Sequence, residues 1–136
     1  METTNFEEDI TIMYKTAGSF PEGVMAAHEA LHAFVPFSTD RKYYGVSRPE
    51  NGYSIVYRAA AEELSPGEAA SLQLDTLVLK KGRYISLTIE DFMKDVQSVG
   101  RAFRELLEQP GIDPQGYCVE LYYNEKDVKC MIRLED

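Results

Sequence analysis

Positive charge is what this sequence has least of: 14 lysines and arginines stand against 23 aspartates and glutamates, for a formal charge of −9. Phosphate backbones and anionic lipid repel a surface of that sign. This argues against direct nucleic-acid binding and membrane binding, and favours cationic ligands or a basic partner. Cysteine is scarce: Cys118 and Cys130 have neither metal-ligand spacing nor a disulfide-rich setting and read as reduced thiols. No apolar run approaches the roughly 18 residues that cross a bilayer. The opening METTNFEED has neither the basic nor the apolar stretch of a signal peptide, so a cytoplasmic protein is expected. Tryptophan is missing, which leaves aromatic surfaces to 9 tyrosines and 6 phenylalanines. No cofactor is expected.

What is present suits a single domain, 1–136, with 44% hydrophobic and 27% charged residues. Residues 1–9 are polar and read as a frayed terminus. The run ITIMYKTA at 10–17 reads as a strand. Val24, Ala27, Leu31, Phe34 and Val35 recur near a 3.6-residue period, predicting a helix over 21–35 between Pro21 and Pro36. Strands at 43–47 and 53–61 flank the turn R-P-E-N-G. After a Ser-Pro-Gly break at 65–67, an extended stretch at 74–79 and a strand at 83–89 surround the turn K-K-G. Val96, Val99, Phe103, Leu106 and Leu107 predict a second helix over 95–109, stopped by Pro110-Gly111, and strands at 117–123 and 128–134 form a last hairpin.

The order is β-α-β-β twice, about 10–63 and about 74–135. Helix positions Val24, Ala30, Leu31, Phe34 and Val35 match Val96, Ala102, Phe103, Leu106 and Leu107, each 72 residues on; in the closing strands the offset is 75. The expected fold class is therefore α+β, a tandem β-α-β-β duplication. One antiparallel sheet carries two long helices on one face and a groove on the other.

Where the copies differ, a site emerges. A two-residue turn at Glu125-Lys126 pairs Tyr123 with Val128, Leu121 with Cys130 and Val119 with Ile132 as the helix-facing side. This leaves Cys118, Glu120, Tyr122, Lys129, Met131 and Arg133 on the open side. Glu120 sits in mid-strand, where glutamate is disfavoured, and its counterpart in the first copy is Gly45, with Tyr43 and Ser47 beside it. Tyr14 and Tyr84 fall on the same open side by alternation. The expected groove is floored by Glu120 and Gly45 and walled by Tyr122, Tyr43, Tyr14, Tyr84 and Met131. A carboxylate there rewards a cation that brings its own apolar body, and each tyrosine face adds about 0.5–2 kcal/mol of cation–π attraction. The plain alternative pairs Glu120 with Arg133 or Lys129 on a solvated face.

The stretches KYYGVSRPE at 42–50, LKKGRYI at 79–85 and GYCVELYY at 116–123 carry a resemblance to the gyrase-inhibitor-like effector-binding domains, which also occur within AraC-type and MerR-type regulators. The chain resembles such a domain from about Ile10 to Glu135. The resemblance implies a tandem β-α-β-β fold with a ligand groove between repeats and a glutamate at its centre, the position of Glu120, meeting cationic aromatic ligands. It also implies a sensor or sequestering module with a small-molecule partner, here stand-alone; exposed sheet edges leave monomer or dimer open. Two alternatives accompany it. One is a hydrolase of electrophilic, cyclopropane-bearing molecules using Glu120 with Tyr122 or Tyr43; the other is a protein-binding modulator of a regulator or gyrase.

HEALH at 28–32 matches the H-E-x-x-H pattern of zinc peptidases. No third ligand follows at a recognisable spacing, and the repeat maps Glu29 and His32 onto Arg101 and Arg104. No metal is expected, and the histidines read as surface residues.

Overall fold

Eight strands form among the described residues. The computed structural model describes residues 1–50, 54–124 and 126–136. The first half runs β1 (Glu2–Phe6), β2 (Ile10–Thr16), α1 (Val24–Phe34), β3 (Tyr43–Glu50) and β4 (Ser54–Glu62). The one-turn helix α2 (Glu68–Ser71) leads to β5 (Asp75–Leu79), β6 (Gly82–Ile89), α3 (Gln97–Leu107), β7 (Cys118–Tyr122) and β8 (Val128–Arg133). All pairings are antiparallel, in one sheet ordered β1-β6-β8-β7-β3-β4-β2-β5. The fold is α+β, as expected.

Both long helices are shorter than predicted. Residues 21–23 form a turn before α1, and Val35, extended because Pro36 follows, ends it. Gly111, at φ +80°, turns the chain after α3. Ala27 and Leu31 of α1 pack on Met13, Tyr57, Ala59 and Ala61, whereas Ala102, Phe103 and Leu106 of α3 pack on Val128, Cys130 and Ile132. Each helix thus covers one half of the same face, and Tyr122 touches both clusters.

The N-terminus is not frayed. β1 pairs with β6 across the molecule, and Phe6 stacks on Tyr84 with ring centroids 4.3 Å apart. β5 does the same service for β2. Each half therefore begins with a strand that edges the other half, which is why the sheet order has the same pattern from either end. The centre of that pattern is the β3–β7 pair, where Gly45 lies directly opposite Glu120.

The face away from the helices is not open. Ile12, Tyr44, Val46, Ala60, Leu79, Tyr84, Val119 and Met131, drawn from both halves, form one buried cluster, so the sheet curls around it. The register of the last hairpin also differs from expectation. Val119 pairs with Met131, Glu120 with Cys130 and Leu121 with Lys129. Asn124 explains the shift: its Oδ1 accepts the backbone N–H groups of Lys126 and Asp127, both at 2.7 Å, so the connection is longer than a two-residue turn. Glu125 of the expected turn lies outside the described residues, as do Asn51, Gly52 and Tyr53 of the first hairpin. A slip of one residue exchanges faces. Cys118, Glu120 and Tyr122 consequently share the helix-bearing face with Cys130 and Ile132, while Lys129, Met131 and Arg133 lie opposite.

Candidate functional site

The site grows from one missing side chain. A Cβ on Gly45 would stand 2.0 Å from the Tyr57 hydroxyl and 2.7 Å from Glu120 Oε1. Glycine at this strand position is what lets Tyr57, on β4, reach across β3 to the carboxyl on β7. The Tyr57 hydroxyl donates to Glu120 Oε1 at 3.0 Å, and the Tyr122 hydroxyl donates to the same oxygen. The two phenols lie 3.2 Å apart. His28, from α1, places Nε2 2.9 Å from the Tyr57 hydroxyl and its ring edge-on to Tyr122 at 5.4 Å. Phe20, in the approach to α1, stacks on Tyr57 at 5.8 Å, and Phe92, in the short 3-10 turn before α3, leans on Tyr122 at 5.7 Å. A carboxyl at the sheet centre is thus ringed by aromatic side chains from both halves.

Electrostatics set its chemistry. Glu120 is only 8% exposed, and burial pushes its carboxyl above the usual range, opposed by the donated bonds from Tyr122 and Tyr57. Both bonds converge on Oε1; Oε2 has no hydrogen-bond partner, and the carboxyl no salt bridge, among the described residues. The basic residues expected as alternatives are engaged elsewhere. Arg133 bonds Asp113 at 3.1 Å and Asp136 at 2.9 Å, and Lys129 donates to Thr4. His28 adds no charge, because burial and then His32 bring it down to about 4. Cys118 and Cys130 are free thiols that burial and Glu120 hold up at about 11 and about 12.

The expected site residues divide. Glu120, Tyr122, Gly45 and Tyr43 share one face, although Tyr43 stacks on Phe37 at 5.3 Å and uses its hydroxyl to accept the Ser38 N–H. Tyr14, Tyr84 and Met131 lie on the opposite face in the cluster around Tyr44. The Tyr84 hydroxyl donates to the Lys80 carbonyl at 2.7 Å, and Arg58 lies over the Tyr14 ring at 5.1 Å. Tyr57 and His28 complete the site and were not foreseen. Nor are the histidines surface residues: both are half-buried, with His32 bonding the Val35 carbonyl at 3.2 Å.

No family model and no curated protein matches the sequence. Solved structures do match in fold. An integron cassette protein from the mobile metagenome of Vibrio cholerae is 14% identical, with a TM-score of 0.69 over 98% of this chain and 95% of that one. SAV2435, in a structure bound to tetraphenylphosphonium, is 12% identical, with a TM-score of 0.74 over 98% and 93%. A proposed bacterial transcription regulation protein from Staphylococcus aureus MU50 is 10% identical, with a TM-score of 0.66 over 99% and 97%. At these identities the shared property is the fold. No helix among the described residues is long and apolar enough to cross a membrane.

Proposed function

We propose that the chain is a small-molecule binding module of the gyrase-inhibitor-like kind, taking lipophilic aromatic cations over Glu120. One observation carries the reading: a carboxyl buried at the centre of the sheet, both phenols on one oxygen, and no basic side chain paired with it among the described residues. The fold itself has no use for this charge, since its counterpart across the β3–β7 pair is Gly45. A buried carboxylate without a partner is costly, and a ligand cation relieves that cost. Phe20, Phe92 and Tyr122 offer faces for the aromatic body and cation–π contact for the charge. Tetraphenylphosphonium, which SAV2435 holds, has this chemistry. Because Glu120 is covered, a bulky ligand must displace part of the ring around it. Phe20, 43% exposed and stacked on Tyr57, is the side chain best placed to swing out.

Calorimetric titration with tetraphenylphosphonium and with neutral triphenylphosphine oxide tests this. Glu120→Gln should weaken the cation at least about tenfold, some 1.4 kcal/mol, and leave the neutral compound unchanged. Equal cation binding by both proteins removes Glu120 from the site. A second reading, hydrolysis of an electrophilic small molecule with Glu120 as base, is favoured by the hydrogen-bonded chain His28–Tyr57–Glu120, a route along which a proton can move. Product analysis with the same variant separates the two.

A further inference from the structure

On the face opposite Glu120, at one open end of the curled sheet, lies a cleft of about 540 Å³. Its volume is within the range of small-molecule sites. Tyr44, Leu121, Phe6 and Ile10 supply its apolar walls. Five acidic residues line it, Glu7, Glu8, Asp9, Glu62 and Glu63, against a single lysine, Lys42, although the Glu63 carboxylate turns away to accept the Ala69 N–H. Acidic residues at a rim prove nothing alone, but the wall contains a second feature. The Tyr44 side chain is 1% exposed, and its hydroxyl, which has no hydrogen-bond partner among the described residues, is not sealed in the protein but meets the cleft. A ring held this firmly, with only its hydroxyl open to the cleft, presents a fixed polar group to whatever occupies the space.

The other half of the sheet shows that the fold does not require these groups. The residue equivalent to Tyr44 is Val119, which lines a smaller cleft of about 210 Å³ at the other end. The charged residues there are of mostly opposite sign: Arg48, Lys80 and Arg133 beside Asp113. A fixed hydroxyl open to the cleft and excess negative charge therefore occur together at the Tyr44 end, whereas the equivalent position at the other end is Val119. A metal ion is not the match, since no three histidine, cysteine, aspartate or glutamate side chains come close enough to hold one among the described residues. The walls call instead for a ligand with N–H donors for the phenol oxygen and the carboxylates, and an apolar portion for Phe6 and Leu121.

We propose that this cleft is a second binding site, for primary organic ammonium ions with an aromatic or alkyl tail, with the ammonium group between Tyr44 and Glu62. It is independent of the Glu120 site and stands whether or not that site binds cations. The carboxylates make the ion welcome, Tyr44 accepts one of its N–H groups, and the Phe6 and Leu121 side chains cover the tail. Burial, with Glu62 and Tyr84, keeps the Tyr44 phenol neutral at physiological pH, hence an acceptor that also holds its own proton.

The test uses the full chain with 13C-labelled tyrosine and 2-phenylethylammonium, followed by NMR, with Glu120→Gln protein to silence the first site. The expected result is saturable binding by Glu120→Gln protein that shifts the Tyr44 resonance. Glu62→Gln combined with Glu63→Gln should weaken it about tenfold, and Tyr44→Phe about threefold to tenfold. The trimethylated analogue, which has the charge but no N–H, should bind at least about tenfold more weakly than the parent. Glutamine keeps the acceptors that bond the Lys42 and Ala69 N–H groups, and melting curves confirm that each variant is folded. Should a variant not fold, the Tyr44 shift in Glu120→Gln protein decides the matter alone. The proposal is overturned if no saturable shift of Tyr44 appears up to about 10 mM ligand, a Kd too weak to matter. It is equally overturned if binding by folded variants is indifferent to Tyr44, Glu62 and Glu63.

Discussion

Replacing Glu120 by glutamine should make the protein more stable at neutral pH. The carboxyl lies in the sheet with its ionised form penalised by burial, and the phenols of Tyr122 and Tyr57 offset only part of that penalty. A folded-state carboxyl that ionises less readily than in the unfolded chain contributes stability that is complete below the ordinary value of 4.5. That contribution is lost as the pH rises through the higher folded-state value. Glutamine has the same shape, still accepts both phenols and does not titrate. Burying an unpaired carboxylate costs several kcal/mol, against which two charge-assisted bonds return about 1 kcal/mol each beyond their neutral equivalents. The balance favours the variant by about 1–3 kcal/mol, or roughly 3–12 °C for a chain of this length. Thermal unfolding followed by circular dichroism between pH 4.5 and 8 reads this directly, with 4.5 the ordinary carboxyl value. The gap between the proteins should be small at the acid end and widen with pH. A variant that melts lower than the parent at the alkaline end, or a gap that does not change with pH, refutes the reasoning.

Gly45→Ala should cost about 2–3 kcal/mol by urea unfolding, because the new methyl group collides with the Tyr57 hydroxyl and Glu120 rather than with a yielding surface chain. His28 is held down to about 4 from 6.5, so the unfolded chain takes up a proton first as the pH falls between those values, and stability drops with it. His28→Gln should remove up to about 3 kcal/mol of that acid-side loss, visible in denaturant midpoints measured across the same interval. Tyr57→Phe removes a donor from Glu120 Oε1 while leaving the ring for Phe20 to stack on. The carboxyl should then titrate at still higher pH by 13C NMR, and cation affinity at neutral pH should fall by about threefold to tenfold.

Most elements were legible because apolar periodicity was strong. The two helices and six strands follow from stripes such as Val24–Ala27–Leu31 and from alternation at 83–89. β1 was hidden because ETTNF is short and polar, and its support comes from β6 in the other half, a contact with no local trace. The opposition of Gly45 and Glu120 was readable, since the repeat offset places both at the sheet centre. The face they share was not. It depended on the length of one turn, which Asn124 sets by capping two N–H groups, and the shift moved Tyr84 and Met131 away from the carboxyl; Tyr14 lies with them because it pairs with Ala60, the partner of Tyr44. Tyr57 was missed because its role depends on a Cβ absent from the neighbouring strand; a glycine in mid-strand was the available signal. His28 was masked by HEALH, although it stands one turn from both Val24 and Leu31 on the buried stripe.

The role proposed for Glu120 is to anchor a cation beneath the two helices. A crystal structure of the chain grown with tetraphenylphosphonium tests it most directly. The predicted result is a cation seated between the halves, with its charged centre within roughly 6 Å of aromatic faces, beside Glu120 Oε2, and with Phe20 displaced. A cation lodged in the Tyr44 cleft alone, or Glu120 still sealed beneath Phe20 and His28 at saturating ligand, would contradict it.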